Sequence, residues 1–255
     1  MTQPQVFGIP GEEPAFGHFI AQNRHGTYCV PEDYAHREVP TILAAGEVYE
    51  TDTLDCLARL YPGGDIVSGG AFVGDFLPFL SRLVAADSRV ISFEPHPISW
   101  HAAQRTLRLN ELTNVDIAPV AVGARAETLP LRVAKPNGRP LAAAARLVPG
   151  AENTDGMVNV DVVRLDDMLD GGRWVSILHL DVEGHEEAAL RGAQGLLQRC
   201  RPFVVLEAAA PKRQAQRIDG YLAILRELAP GAGYDKQDII ASDGNVVFAP
   251  GLTPE

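Results

Sequence analysis

The sequence predicts an α/β protein whose core is a mostly parallel β-sheet. From about Gly63 onward, short runs rich in β-branched residues alternate with segments of helical periodicity, which is the pattern of repeated βαβ units. A glycine-rich turn follows the first of these runs, and the acidic residue Glu94 follows the second. Both features are typical of doubly wound sheets, which bind ligands at the carboxyl ends of their strands.

Five elements are predicted for the first half of this sheet. They are a strand, helix, strand, helix and strand over residues 65–69, 72–86, 89–93, 98–109 and 115–122. Pro119 interrupts the last strand, because proline cannot donate a backbone hydrogen bond to a neighbouring strand. Residues 123–161 then contain many prolines and glycines, so we predict an insertion of loops and short strands there.

The alternation of strands and helices resumes after the insertion. Apolar and polar residues alternate over 158–165, which predicts an edge strand with one solvated face. Buried strands are predicted at 174–180 and 203–207, and helices at 183–199 and 212–228. The pair Asp243-Gly244 predicts a hairpin turn between two terminal strands.

The segment before the sheet has a different character. Residues 1–62 mix glycine, proline and aromatic residues and show no βαβ alternation. We predict that they form a cap lying across the carboxyl edge of the sheet, and that residues 63–255 form the α/β domain. A chain of 255 residues is long enough for one such domain with this extension.

Composition excludes several classes of function. A formal net charge of −11 argues against a nucleic-acid partner, which requires a basic surface. No signal peptide is evident, and no apolar run approaches the ~20 residues that span a bilayer, so no membrane partner is expected. Three cysteines without metal-like spacing predict reduced thiols in a cytoplasmic protein. A homodimer is left open.

Two features indicate a nucleoside site. The turn from Ser68 to Gly74, SGGAFVG, reads G-x-A-x-x-G from Gly69, and glycine lets a ligand approach the backbone closely. Such a loop is a weak signal alone, because tight turns use glycine in any case. Glu94 lies 20 residues after Gly74, at the spacing where a carboxylate binds the ribose hydroxyls of an adenosine group.

A third feature lies at the end of the strand predicted at 174–180. Asp181 follows that strand directly and begins the segment DVEGHE. Because ligands bind outside the carboxyl ends of strands in such sheets, Asp181 is expected to face the same crevice as Gly70 and Glu94.

The segment from His179 to Glu207, HLDVEGHEEAALRGAQGLLQRCRPFVVLE, resembles the FkbM family of methyltransferases. Members of that family typically read K-x-D-V-E-G-x-E, then L-x-G-A, then R-P and a strand that ends in Glu. Upstream matches occur in the same order at GAFVG, FEP, AVG and LDD, and GEVYE resembles a G-E-x-x-E stretch before the domain. The resemblance extends from about Tyr28 to Pro250.

The resemblance implies a Rossmann-like class I methyltransferase fold, with a mostly parallel seven-stranded sheet, a C-terminal antiparallel hairpin and an N-terminal cap. It implies S-adenosylmethionine as cofactor and O-methylation of a hydroxyl on a small molecule, a sugar or a secondary metabolite. By this resemblance, Glu94 holds the ribose, Val120 and Ala121 border the adenine, and Asp181 lies near the methyl group. The cofactor-binding residues we predict are Ser68, Gly69, Gly70, Ala71, Phe72, Gly74, Glu94, Pro95, Val120, Ala121 and Asp181.

Three positions depart from the family pattern. Ser68 stands where the family usually has an acid that helps to hold the cofactor's amino group. Phe72 replaces the usual asparagine, and His179 replaces the usual lysine. Asp65 cannot substitute for the acid, because an offset of three residues along a strand points its side chain to the opposite face. Glu47 or Glu50 in the cap is a candidate for a compensating carboxylate.

Methyl transfer to an alcohol requires a base that removes the hydroxyl proton. His185 is the first candidate because histidine titrates near neutrality, Asp181 is the second, and His179 is the third. No ligand spacing specifies a metal, although Asp181 and Glu207 leave a shared divalent ion open. Two alternatives remain at this point: an NAD-dependent enzyme, which uses a similar glycine loop and acid, and a catalytically silent protein that binds a nucleoside or a protein partner.

Overall fold

The computed structural model describes residues 16–152, 154–208, 213–240 and 242–251. The first 15 residues of the predicted cap therefore lie outside the described residues. From residue 16 to residue 62 the chain forms an antiparallel hairpin followed by two helices, and no βαβ unit. These elements are β1 His18–Asn23, β2 Gly26–Pro31, α1 Glu38–Ala44 and α2 Thr51–Leu60.

The first half of the main sheet follows the predicted order. Its elements are β3 Asp65–Gly69, α3 Leu77–Leu83, β4 Val90–Phe93, α4 Pro97–Leu109 and β5 Val115–Ala118. The predicted helix over 72–86 begins only at Leu77, however. Phe72 and Gly74 have φ angles of 45° and 83°, which a right-handed helix cannot contain, so residues 71–76 form a turn instead.

A second, four-stranded sheet occupies the predicted insertion. Its elements, with the short helix that follows, are β6 Ala121–Val122, β7 Glu127–Arg132, β8 Arg146–Leu147, β9 Met157–Val163 and α5 Leu165–Met168. The prediction of an edge strand over 158–165 is wrong, because β9 lies between β6 and β7. Val160 and Val162 are buried whereas Asn159 and Asp161 are exposed, so the alternation reflects one solvated face and not a missing neighbour.

The remaining elements complete the main sheet. They are β10 Val175–Leu180, α6 Glu186–Arg191, α7 Gln194–Cys200, β11 Phe203–Glu207, α8 Gln214–Leu228, β12 Asp235–Ile240 and β13 Asn245–Ala249. The helix predicted over 183–199 is thus two helices. The Asp166 carboxylate accepts hydrogen bonds from the backbone amides of Gly195 and Leu196, both at 2.8 Å, and so satisfies the N-terminus of the second helix.

The main sheet has seven strands in the order β12-β13-β11-β10-β3-β4-β5. The strands from β11 to β5 pair in parallel, whereas β13 is antiparallel to both β11 and β12. The predicted C-terminal hairpin is therefore confirmed, with its second strand inserted between the first and the rest of the sheet.

Helices cover both faces of this sheet, because alternate residues of its strands point in opposite directions. Ile177 packs in the cluster formed with α2, α3 and α4, and its neighbour Leu178 packs in the cluster formed with α6, α7 and α8. The carboxyl edge is left open between these layers. Within the described ranges, no helix combines the length and the apolar character that crossing a membrane requires.

Candidate active site

A cavity lies at the carboxyl ends of β3, β4 and β10. The sheet order changes direction here, since β3 pairs with β4 on one side and with β10 on the other. Such a switch point is where open α/β sheets bind ligands. The predicted residues that line the cavity are Ser68, Gly70, Ala71, Phe72, Glu94, Pro95, Ala121, Asp181 and His185.

The glycines of the turn after β3 divide into two groups. Gly70 lines the cavity with a φ angle of 84°, and a Cβ atom there would overlap the carbonyl oxygen of Asp181, so only glycine fits. Gly69 packs against the ring of Phe93, and Gly74 packs against Thr106 of α4. These two glycines, like Val120, are not among the residues that line the cavity.

Glu94 is held at the end of β4 by two backbone amides. Its Oε2 atom accepts a hydrogen bond from Phe72 N at 2.9 Å, and its Oε1 atom accepts one from His96 N at 2.7 Å. The side chain lines the cavity although the residue is only 8% exposed. Each carboxylate oxygen has two lone pairs, so both oxygens keep the capacity to accept a hydroxyl. Burial raises the pKa of Glu94 to about 7, against the action of the two amides.

Asp181 belongs to a tight turn that connects β10 to α6. Its backbone amide donates to Gly69 O at 3.2 Å, which ties the ends of two strands together. Glu186 holds the rest of the turn, because its Oε1 atom accepts hydrogen bonds from the amides of Val182 and Gly184. Burial raises the pKa of Asp181 well above its usual range, and the nearby Glu207 carboxylate raises it further.

His185 lies at the N-terminus of α6 and lines the same cavity as Asp181. Its ring sits beside Gly123, where an added Cβ atom would be 3.2 Å from Nε2. Burial lowers the pKa of His185 below 6.5, and this effect exceeds the opposing effect of Glu186. The imidazole is therefore neutral at physiological pH, which is the form that can accept a proton.

The third histidine candidate has a different environment. Ser68 and His179 are direct neighbours on β3 and β10, and Ser68 Oγ lies 3.0 Å from His179 Nδ1. The ring of Phe76 stacks on the imidazole with centroids 5.5 Å apart. His179 is 4% exposed, and burial lowers its pKa to about 4. It also lines the cavity, and its Nε2 atom has no hydrogen-bond partner within the described ranges.

Sequence reasoning missed several residues that line the cavity. Asp75 and Phe76 come from the turn before α3. The insertion contributes a further group, which consists of Leu131, Ala142, Ala143, Ala145, Arg146 and Leu147. An acid directly after Gly74, inside an otherwise apolar turn, was the one available signal for Asp75.

One acidic cluster adjoins the cavity. Carboxylate oxygens of Asp181, Glu186 and Glu207 lie within 4.8 Å of one another, a spacing that could hold a metal ion. Both oxygens of Glu186 are already engaged, since Tyr221 Oη donates to its Oε2 atom at 3.2 Å. The pair Asp181 and Glu207 raised by the sequence is therefore close in space.

Comparisons with known proteins agree with this geometry. Residues 68–235, well over half of the chain, match the family model described as the methyltransferase FkbM domain. The methyltransferase sdnD of Sordaria araneosa is 28% identical over 220 residues, which cover 74% of this chain and 83% of that protein.

The fold comparison points the same way. The crystal structure of methyltransferase FkbM from Methylobacillus flagellatus KT has a TM-score of 0.52 and 18% sequence identity, over 76% of this chain and 47% of that one. The chain thus spans about half the length of that protein. It belongs to the FkbM family of methyltransferases and has the class I methyltransferase fold.

Proposed function

We propose that the chain transfers a methyl group from S-adenosylmethionine to a hydroxyl of a small molecule, a sugar or a secondary metabolite. The observation that carries this proposal is the presence of Glu94, Asp181 and His185 on one cavity at the switch point of the sheet. The family assignment removes the NAD-dependent alternative. The bound cofactor supplies an electrophilic methyl group on a positively charged sulfur.

The cavity residues fit a nucleoside cofactor at one end. Glu94 keeps free lone pairs that would accept the ribose hydroxyls, because its amide partners use only one on each oxygen. Gly70 would let the cofactor approach the backbone, since no side chain is tolerated there. Ala121, at the end of the same cavity, would border the adenine without filling its space.

The insertion contributes a further part of the lining, where the acceptor would bind. Leu131, Ala142, Ala145 and Leu147 make this part apolar, and the small alanine side chains leave room for a ligand. Arg146 is the one lysine or arginine that lines the cavity in the described part of the chain. This lining favours an uncharged, largely apolar acceptor over a phosphorylated one, because a single cation offers little to a phosphate.

His185 is the residue we assign as the base. Its neutral imidazole faces the cavity beside Asp181, so it can take the proton of a hydroxyl that is held near the methyl group. Asp181 would orient the acceptor through its carboxyl group, which lines the same cavity directly after β10.

Incubation of the purified protein with metabolite extracts and methyl-labelled S-adenosylmethionine tests this function. We expect the label in an ether linkage of a small molecule, identified by mass spectrometry, and its absence when heat-denatured protein is used. Label found only on nitrogen would contradict the assignment of the acceptor. Cofactor binding without any labelled product across extracts would favour the catalytically silent alternative.

A further inference from the structure

Carboxylates contribute much of the polar lining of the cavity. Glu50, Asp75 and Asp181 all line it, and within the described ranges none of them forms an ion pair. The charges of all three also raise the pKa of the Tyr49 phenol, which lines the same cavity. All three residues are half-buried, where like charges repel more strongly than in water, so a positively charged ligand would relieve their repulsion.

The residue expected to carry a negative charge in this region cannot do so. Ser68 is neutral, and its hydroxyl is engaged with His179 Nδ1. If a carboxylate binds the cofactor's amino group, that carboxylate must therefore belong to another element. Glu47, one of the two cap acids considered from the sequence, is exposed and does not line the cavity.

Asp75 lies in the turn of residues 71–76, between β3 and α3. It directly follows Gly74 and precedes Phe76, whose ring stacks on His179. Its backbone is part of the Gly70–Phe76 turn, so its carboxylate is on the same loop as Gly70. Burial raises its pKa to about 7, opposed only by a hydrogen bond from its own backbone amide.

Glu50 reaches the cavity from the segment before the main sheet. It precedes α2 with a φ angle of 46°, and Asn245 Nδ2 donates to its Oε2 atom at 3.1 Å. Burial and the neighbouring Asp243 raise its pKa to about 7. This hydrogen bond ties the carboxylate to β13.

A second observation indicates that a polar group binds in the cavity near His179. The Nε2 atom of His179 is buried and has no hydrogen-bond partner within the described ranges, although its residue lines the cavity. Buried polar atoms are nearly always satisfied in proteins, so a polar part of a ligand is expected to reach it. The amino-acid end of S-adenosylmethionine carries both an ammonium and a carboxylate group.

We propose that Asp75, with Glu50 in the lining of the same cavity, binds the ammonium group of the cofactor's amino-acid end in place of the missing acid at Ser68. The proposal rests on the identity of the cofactor and is independent of the methyl acceptor. Asp75 acts here as a binding residue and takes no part in moving the acceptor's proton.

A comparison of two ligands distinguishes loss of the ammonium contact from a general loss of binding at the site. S-adenosylhomocysteine carries the amino-acid end, whereas 5′-methylthioadenosine has the same nucleoside and sulfur without it. Isothermal titration should show that Asp75→Asn weakens binding of S-adenosylhomocysteine by about tenfold or more, the size expected for one charge-assisted hydrogen bond. Binding of 5′-methylthioadenosine should change by less than about twofold on the same scale. Glu50→Gln should show the same selectivity with a smaller loss.

Matched variants control the comparison. Glu94→Gln should weaken both ligands, because it acts on the ribose, and the exposed Glu47→Gln should weaken neither. Equal losses for both ligands in Asp75→Asn, or no loss for either, would overturn the proposal. Abolition of wild-type binding by a chelator would also overturn it, since the carboxylates would then serve a metal ion.

One measurement requires no variant. In the wild-type protein, the preference for S-adenosylhomocysteine over 5′-methylthioadenosine should shrink as the pH falls below about 7, where Asp75 and Glu50 become protonated. The other titratable groups that interact electrostatically with one or both of them are Tyr28, Tyr49, Glu94, Asp181 and Asp243. Glu94 acts on the ribose that both ligands share, so its protonation leaves the preference unchanged. A preference that is constant between pH 8 and pH 5.5 would contradict the assignment.

Discussion

Ser68 and His179 are hydrogen-bonded to each other across the two central strands, with Oγ and Nδ1 3.0 Å apart. Each residue departs from the pattern of the FkbM family, which usually has an acid at the first position and a lysine at the second. The two departures therefore meet in one contact, which is a neutral pair at positions where the family pattern has opposite charges. The lowered pKa of His179, about 4, keeps this pair uncharged.

A double-mutant cycle tests that coupling. Ser68→Asp and His179→Lys each bury one charge without its partner, so each should destabilise the protein, whereas the double variant should recover part of the loss. We expect a coupling energy of about 1–3 kcal/mol from urea unfolding, the range for residues in direct contact. Losses that simply add would show that the two substitutions are independent.

Phe72 shows why a second departure is tolerated. Its φ angle of 45° suits asparagine better than phenylalanine, yet the ring is 6% exposed and stacks on Tyr34 with centroids 5.7 Å apart. Phe72 thus packs the segment before the main sheet against the turn of residues 71–76. Phe72→Ala should cost about 3–5 kcal/mol in urea unfolding, whereas the exposed Ile20→Ala should cost little. A loss below about 1 kcal/mol would exclude this anchoring role.

The main sheet could be predicted from sequence because each buried strand is a short β-branched run bounded by turn residues. The break between α6 and α7 could not, since it depends on Asp166, which lies almost thirty residues before the amides of Gly195 and Leu196. The position of β9 inside a small sheet was likewise hidden, because alternation reports solvation of a face and not the number of neighbours.

The residues of the candidate site also divide into those that the sequence could predict and those that it could not. Glu94 and Asp181 could be placed on the cavity because a residue after a parallel strand must lie at its carboxyl edge. Asp75 had only one signal, an acid inside an apolar turn, and its position on the cavity depends on how that turn folds. The contribution of Leu131, Ala142 and Leu147 depends on how the insertion folds back over the sheet.

Glu94→Gln should lower the affinity for S-adenosylhomocysteine by roughly tenfold to a thousandfold, since two hydrogen bonds to a charged acceptor are lost or weakened. Glutamine is preferable to alanine here, because its remaining oxygen can still accept from one of the two backbone amides that Glu94 now serves. Isothermal titration measures the effect, with the melting temperature as a control for folding. An unchanged dissociation constant in a folded variant would remove Glu94 from the site.

Asp75 makes the stability of the ligand-free protein depend on pH. Its pKa rises from 3.8 to about 7 on folding. The contribution of Asp75 to the free energy of unfolding is therefore fully present below about pH 4 and is lost as the pH rises towards 7. Asp75→Asn removes this loss. The variant should therefore melt roughly 2–4 °C or more above the wild type at pH 8, for ~1 kcal/mol or more recovered, and at nearly the same temperature at pH 4. A variant that is less stable at pH 8 would show that the carboxylate is satisfied within the protein.

The central claim is that this cavity carries out methyl transfer with His185 as the base. The most direct measurement compares wild-type protein and His185→Ala, using an acceptor found by the labelling screen, for both turnover and affinity for S-adenosylhomocysteine. We predict that kcat falls by roughly two to four orders of magnitude while the dissociation constant changes little, because the base contacts the acceptor and not the nucleoside. Full turnover in His185→Ala, together with loss of turnover on adding a chelator and in Glu207→Ala, would contradict the account and assign proton removal to a metal ion held by Asp181 and Glu207.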